Sequence, residues 1–199
     1  MLILLNRWRD RMKEKIKNFI GYIKCKIYKI SIGKKIYLGS RTKIVNGKNI
    51  KFENDIQIRP DCFISCNDNS YISLKNGCDI GTRSRIISGK KIILEEDVLT
   101  GPNVYISDQD HKYQDVNTSI KKQGIVIKEG SGIKIGKGSW IGTNSVIIGN
   151  IEIGKGCVIG ANSVVTKNIP DYCVVAGSPA RIIKRYNFDN KKWERVKNG

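Results

Sequence analysis

Residues 135–166 read IGKGSWIGTNSVIIGNIEIGKGCVIGANSVVT, and every sixth position is a branched aliphatic: Ile135, Ile141, Ile147, Ile153, Ile159 and Val165. The next position holds Gly136, Gly142, Gly154 and Gly160, with Ile148 and Thr166 interrupting. Four residues after an aliphatic stand Ser139, Ser145, Ile151, Cys157 and Ser163, mostly small. Neither a helical period nor plain alternation produces a beat of six. A short strand and a turn, repeated, does. Three such sides make a coil of about 18 residues that stacks on the next at roughly 4.8 Å. The aliphatic points inward and ladders with its equivalents, and the Gly tolerates a tight corner and close backbone approach. The sequence predicts an all-β chain, a parallel β-helix of triangular section.

The beat runs upstream with interruptions, through Leu38 and Ile44, then Phe52, Ile58 and Ile64, then Leu74, Ile80 and Ile86, then Leu94, Thr100 and Ile106. Cys62, Cys78 and Cys157 fall on its small position, which makes them core filler rather than redox groups. The intervals Ile44 to Phe52, Ile64 to Leu74 and Ile86 to Leu94 carry a few extra residues, expected as bulged corners. The interval Ile106 to Ile135 is far longer. A loop of this length, residues 107–132, is extruded from the stack, and such loops in compact domains are mostly functional or disordered. It contains His111, the one histidine of the chain, in YISDQDHKYQD.

The formal charge is +18, and the first 35 residues supply half of it, with 11 Lys/Arg against Asp10 and Glu14. Such a balance suits nucleic acid, an anionic membrane face or phosphate-bearing small molecules. Nucleic acid has only the charge in its favour, since no recognition motif is present. The six cysteines form no CxxC pair and have no histidine nearby, so neither a zinc site nor any other metal is expected. Free thiols, an N-terminal apolar run too short for a signal peptide and no run of membrane-spanning length predict a cytoplasmic protein. Residues 1–33 read as a basic amphipathic helix, with Leu5, Trp8, Met12, Ile16, Phe19, Ile23 and Ile27 on one face and a bend near Gly21. The helix is expected to cap the open first coil. Contact with the inner face of an anionic membrane is a second role, compatible if only part of the helix caps.

The beat, with GANSVVTKNIP and AGSPARIIK at its end, resembles the hexapeptide-repeat acyltransferases over roughly residues 34–185. The resemblance implies a left-handed prism, a homotrimer with active sites between subunits, and a charged tail over residues 186–199. The SDQDHKYQD loop looks like that of the galactoside and maltose acetyltransferases and the polysaccharide O-acetyltransferases, in which an equivalent loop supplies the catalytic histidine. His111 is therefore the expected general base, and imidazole is suited to take a proton near neutral pH. Asp108 and Asp110 are candidate orienters of its ring, Asn103 and Tyr113 candidate acceptor contacts. By the same resemblance Trp140 flanks a pantetheine arm, and N–H groups near Gly142 and Thr143 face the oxyanion. Ala161, Thr166 and Lys167 line the pantetheine groove, and Gly177, Arg181 and Lys184 lie near the nucleotide. Lys and Arg pair well with the phosphates of coenzyme A.

The reading is an acetyl-CoA-dependent O-acetyltransferase acting on a sugar of a surface polysaccharide, capsule or O-antigen, free or carried by a lipid or nucleotide. N-acetylation of an amino-sugar nucleotide is the catalytic alternative, and a non-catalytic β-helix scaffold the alternative of another class. A serine acetyltransferase would need a large helical N-terminal domain, and a γ-class carbonic anhydrase three histidines.

Overall fold

The computed structural model describes residues 2–127, 130 and 132–196, with side chains from Met12 onward. The chain is a β-solenoid of about seven parallel turns with three parallel sheets. The first sheet stacks Ser31–Ile32, Ile50–Phe52, Tyr71–Leu74, Lys91–Leu94, Ile133–Ile135 and Ile151–Ile153. The second stacks Ile36–Leu38, Ile56–Ile58, Asp79–Ile80, Leu99–Thr100, Trp140–Ile141, Val158–Ile159 and Cys173–Ala176. The third stacks Lys43–Val45, Phe63–Cys66, Arg85–Ser88, Tyr105–Ser107, Val146–Ile148 and Val164–Val165.

The register is the sequence beat made visible. Ile44, Ile64, Ile86, Ile106, Ile147 and Val165 lie opposite one another up the third sheet. Phe52, Leu74, Leu94, Ile135 and Ile153 do the same in the first. All of these side chains are buried, and the extruded loop is skipped without a break in register. A one-residue slip would turn every aliphatic out to water, so the register is strongly specified.

The glycines after the aliphatics are needed for close approach rather than for an unusual φ. A Cβ on Gly81 would sit 2.2 Å from the Gly101 carbonyl oxygen, and one on Gly142 2.6 Å from the Ala161 nitrogen. The left-handed corner residues between the second and third sheets come two positions further on: Arg41, Asp61, Arg83, Asn103, Asn144 and Asn162, all with φ between 54° and 64°. Asn and Asp tolerate that conformation. Their side chains also ladder along the corner, as Arg83 Nε donates to Asn103 Oδ1 at 2.9 Å and Asn103 Nδ2 to Asn144 Oδ1 at 2.9 Å.

The three short insertions fall at one corner, between the third and first sheets. The first is a 3₁₀ turn, Gly47–Asn49. The long loop leaves from the same corner. At the other end of the chain, Arg181–Asn187 turns back antiparallel onto Cys173–Ala176, and Lys192–Arg195 pairs with it in turn. Part of the segment expected as a tail is therefore an ordered hairpin on the second sheet.

The N-terminal helix α1, Leu2–Ile27, runs unbroken through Gly21, where a bend was expected. Gly21 is where it docks: a Cβ there would lie 2.1 Å from the Ile36 carbonyl oxygen. Cys25 is fully buried beside it, and the Lys24 ammonium donates to the Leu38 carbonyl at 3.3 Å. The helix thus covers the first coil, but with its narrow Gly21–Cys25 face. Met12, Ile16, Phe19, Ile23 and Ile27 of the expected apolar stripe are exposed, while Leu5 and Trp8 lie outside the described side chains. No described helix is long and apolar enough to cross a membrane.

Candidate active site

The extruded loop is a small structure of its own. Asp110–His111 pairs antiparallel with Ile125–Val126, and a single helical turn, Ile120–Gln123, closes the far end. Gln123 knits that end, its Nε2 donating to the Asp115 and Thr118 carbonyls at 2.8 and 2.6 Å. Hydrogen bonds from the Thr118 side chain and the Asn117 N–H hold the Asp115 carboxyl below its ordinary range. The loop is therefore a braced hairpin, which fixes where its histidine can be.

Sequence proximity suggested that Asp108 and Asp110 face the imidazole. The structure gives them other partners. Asp108, 4% exposed, accepts from the Gly89 N–H at 2.5 Å, the Lys90 N–H at 3.0 Å and the Lys91 N–H at 2.6 Å. It clamps the turn of the preceding coil to the base of the loop. Asp110 accepts the backbone N–H of His111 at 2.8 Å. Among the described residues, neither carboxylate is hydrogen-bonded to the His111 ring. A second brace, missed from the sequence, is Asn67 Nδ2 donating to Gln109 Oε1 at 3.2 Å across 42 residues.

Between the loop and the third-to-first-sheet corner lies a cleft of about 510 Å³. His111, Tyr113, Asp108 and Asp110 line it from the loop, and Thr166 from the coils below. Tyr105, Gln109, Gln114, Ile148, Gly149 and Asn150 also line it and were not singled out from sequence. One signal was available. Tyr105 precedes the inward Ile106, so alternation turns it outward beside the loop. Gly149 and Asn150 form a turn dipeptide in the coil after the loop, a signal for a corner but not for a cleft.

The remaining expected residues are not in this cleft. Asn103 is a member of the amide ladder on the opposite corner, between the second and third sheets. Gly142, Thr143 and Ala161 stack at that same corner, where the Asn162 N–H donates to the Thr143 carbonyl at 2.9 Å. Gly177 continues the column, its carbonyl accepting the Val164 N–H at 3.0 Å. Arg181 pairs with Ala176, and Lys184 with Val174, on the returning strand. Trp140, half exposed, stands on the outer face of the second sheet beside Leu99. Lys167 is exposed next to Thr166, on the His111 side. One chain thus carries two groups of candidate residues on opposite edges of its third sheet.

No cysteine is placed for catalysis. All six are buried, and burial pushes the Cys62 thiol up to about 11 and the Cys78 thiol up to about 12. Their S–H groups donate to carbonyls of the next coil, Cys62 to Gly81 and Cys78 to Glu95. Ser139 and Ser145 do the same from equivalent positions.

A three-sided parallel prism with a histidine-bearing hairpin extruded at one corner is the architecture that the resemblance to hexapeptide-repeat acyltransferases implied, and the comparisons show that family. Residues 132–167, the coils after the loop, match the model of the bacterial transferase hexapeptide (six repeats) family. A maltose O-acetyltransferase from Clostridium difficile 630 is similar at 30% identity over 74% of this chain and 68% of its own, with a TM-score of 0.51. The chain belongs to the hexapeptide-repeat acyltransferase family. WbbJ of Escherichia coli (strain K12), whose name assigns it provisionally to lipopolysaccharide biosynthesis as an O-acetyl transferase, is 32% identical over 68 residues. That match covers 34% of this chain, and the chain spans about a third of the relative's length (35%). The fold is also that of a variant of AntD, an N-acyltransferase from Bacillus cereus in complex with dTDP and coenzyme A. There the TM-score is 0.67 and the identity 20%, over 80% of this chain and 85% of the other.

Proposed function

We propose that the protein transfers an acetyl group from acetyl-CoA to a sugar hydroxyl of a surface polysaccharide, capsule or O-antigen, or of its lipid- or nucleotide-linked precursor. The observation that carries this reading is His111, held by a braced hairpin over a cleft whose described lining contains no Cys or Ser side chain. Every thiol is buried and away from the cleft, so no cysteine is placed to carry the acyl group, and the reading takes direct transfer. The imidazole takes the proton of the acceptor hydroxyl as its oxygen attacks the thioester carbonyl. The Gly142 N–H, expected as an oxyanion donor, is instead spent on the Ile159 carbonyl of the next coil at 2.8 Å, so the proposed main-chain donor is the neighbouring Thr143 N–H. The carbon–sulfur bond then breaks, and the departing thiolate receives the proton from the imidazolium.

A coenzyme A donor fits the residues present. Arg181, Lys184 and Lys167 are cations at the last coils, able to pair with phosphates. Ala161 and Gly177 are the proposed small-residue path along the column, with Trp140 as an apolar wall, and Thr166 meets that path from the His111 edge of a neighbouring copy. Asn103 and Tyr113 remain the proposed acceptor contacts, Asn103 from the corner. Because the His111 cleft and the Gly142–Gly177 column lie on opposite edges of one third sheet, the reading includes a homotrimer in which one copy's loop meets another's column. Its location is proposed as cytoplasmic, peripheral to the inner face of the membrane.

The test is a mass shift. Purified protein is incubated with isotopically labelled acetyl-CoA and a panel of free sugars, sugar nucleotides and lipid-linked oligosaccharides, and products are treated with mild alkali. Label released by alkali is the expected ester. Label that survives is an amide and would replace the O-transfer reading with N-acylation of an amino sugar. No label on any acceptor, together with no binding of acetyl-CoA, would leave a prism that does no acyl transfer.

A further inference from the structure

The face that α1 turns away from the prism is the strongest unassigned feature of the molecule. The helix docks through Gly21 and Cys25, and Lys24 reaches back to the Leu38 carbonyl. On the opposite side Met12, Ile16, Phe19, Ile20, Ile23 and Ile27 form one continuous row with spacings of one helical turn or less. Each is between 38% and 72% exposed, so none is satisfied by the chain's own core. At about 100° per residue the row is flanked by Lys13 on one side and by Lys15 and Lys26 on the other. Lys17, one step beyond Lys13, turns to the prism with its ammonium 5.9 Å from the Tyr37 ring centroid. The three flanking lysines are exposed. Glu14, the one acidic residue between Met12 and Ile27, lies on the prism side, in a groove with Lys17, Lys35 and Tyr37 whose rim Lys13 shares.

We infer that this face is a docking surface for an anionic lipid bilayer, the apolar row entering the acyl-chain boundary and the flanking lysines meeting lipid phosphates. Charge chooses the occupant. A second copy of the helix would bring lysine against lysine on both flanks with no carboxylate to answer them, whereas helix pairs that associate set opposite charges there. A neutral protein surface would cover the row and leave the lysines without partners. An anionic membrane supplies both halves, and an apolar row bordered by lysines is how interfacial helices bind. The helix then has two faces with separate tasks, a small-residue face that closes the first coil and an apolar face that holds the prism against the membrane. The inference rests on the proposed location but not on the chemistry of acyl transfer.

The experiment uses the full chain and extruded vesicles, either pure phosphatidylcholine or phosphatidylcholine with about 30% phosphatidylglycerol, separated by flotation. The wild-type protein is expected to float with the anionic vesicles and about tenfold less with the neutral ones. Phe19→Glu with Ile23→Glu should cut flotation by about tenfold. Both positions face solvent, so the thermal midpoint and the solution mass should stay at their wild-type values. Failure of the wild type to float with anionic vesicles, or equal flotation of the double variant, overturns the inference. So does a fall in solution mass on substitution, which would assign the row to a second copy. Flotation is read without donor or acceptor, so its failure and that of the transferase reading are distinguishable.

Discussion

Replacing Asp108 separates an anchor from a catalytic orienter, two roles that make opposite predictions. Its carboxylate is 4% exposed and accepts three backbone N–H groups, from Gly89, Lys90 and Lys91, at 2.5, 3.0 and 2.6 Å. A hydrogen bond to a charged group contributes about 1.5–3 kcal/mol, so independent bonds would total roughly 4.5–9 kcal/mol. That sum is too large, because the three share one acceptor and water reaches part of the turn once the anchor is gone. A loss of about 3 kcal/mol is the expected cost of Asp108→Ala, within the range for a broken buried network. In a chain of this size that is a fall of roughly 6–12 °C in Tm. Asp108→Asn keeps the shape but points an N–H at an N–H, and should lose about 2 kcal/mol. Calorimetry measures the global effect. Amide exchange at Gly89, Lys90 and Lys91 measures the local one, and protection there should collapse first. Turnover should fall with the loop's position while the pH profile keeps its wild-type midpoints. An unchanged Tm with a displaced pH profile would refute the anchor and return Asp108 to the imidazole.

Further outcomes follow from the same geometry. His111→Ala should lower kcat by at least about 100-fold, the usual worth of a general base, with Tm and coenzyme A affinity retained; near-normal turnover would remove it from the mechanism. Arg181→Ala with Lys184→Ala should weaken binding of coenzyme A more than of dephospho-coenzyme A, and equal losses would place the 3′-phosphate elsewhere. At pH 8 a thiol reagent should label the native protein slowly and all six cysteines in denaturant, since burial holds these groups in the neutral form. The sign of their pH linkage is fixed. The folded values of about 11 for Cys62 and about 12 for Cys78 lie above the ordinary 9.0, so their stabilisation is complete below pH 9 and fades as pH rises through 11 to 12. Cys62→Ala with Cys78→Ala should flatten that alkaline decline, read from denaturant midpoints between pH 8 and about 11.

The sequence by itself determined the β-helix, its inward ladder and the place in the chain from which the loop emerges. That was possible because the signal is local and repeated. One aliphatic in six must turn inward, and seventeen such positions from Leu38 to Val165 point to a single register, in which each is buried. Thiols at Cys62 and Cys78 could be read as filler because they fall on the small position of that beat.

What the sequence did not carry is anything decided by neighbours one or more coils away. Asp108 and His111 are three residues apart, yet the carboxylate belongs to a turn 17 to 19 residues earlier. Asn103 sits four residues before the loop's base but is claimed by an amide ladder across 41 residues. The stripe of α1 was legible as a stripe. Only docking showed that Gly21, with no Cβ to collide with Ile36, is the face that closes the prism, which turns the apolar row out to solvent. A six-residue beat fixes each side chain's direction relative to its own strand. Which partner it meets depends on the coil stacked above or below, and that distance exists only in the folded chain.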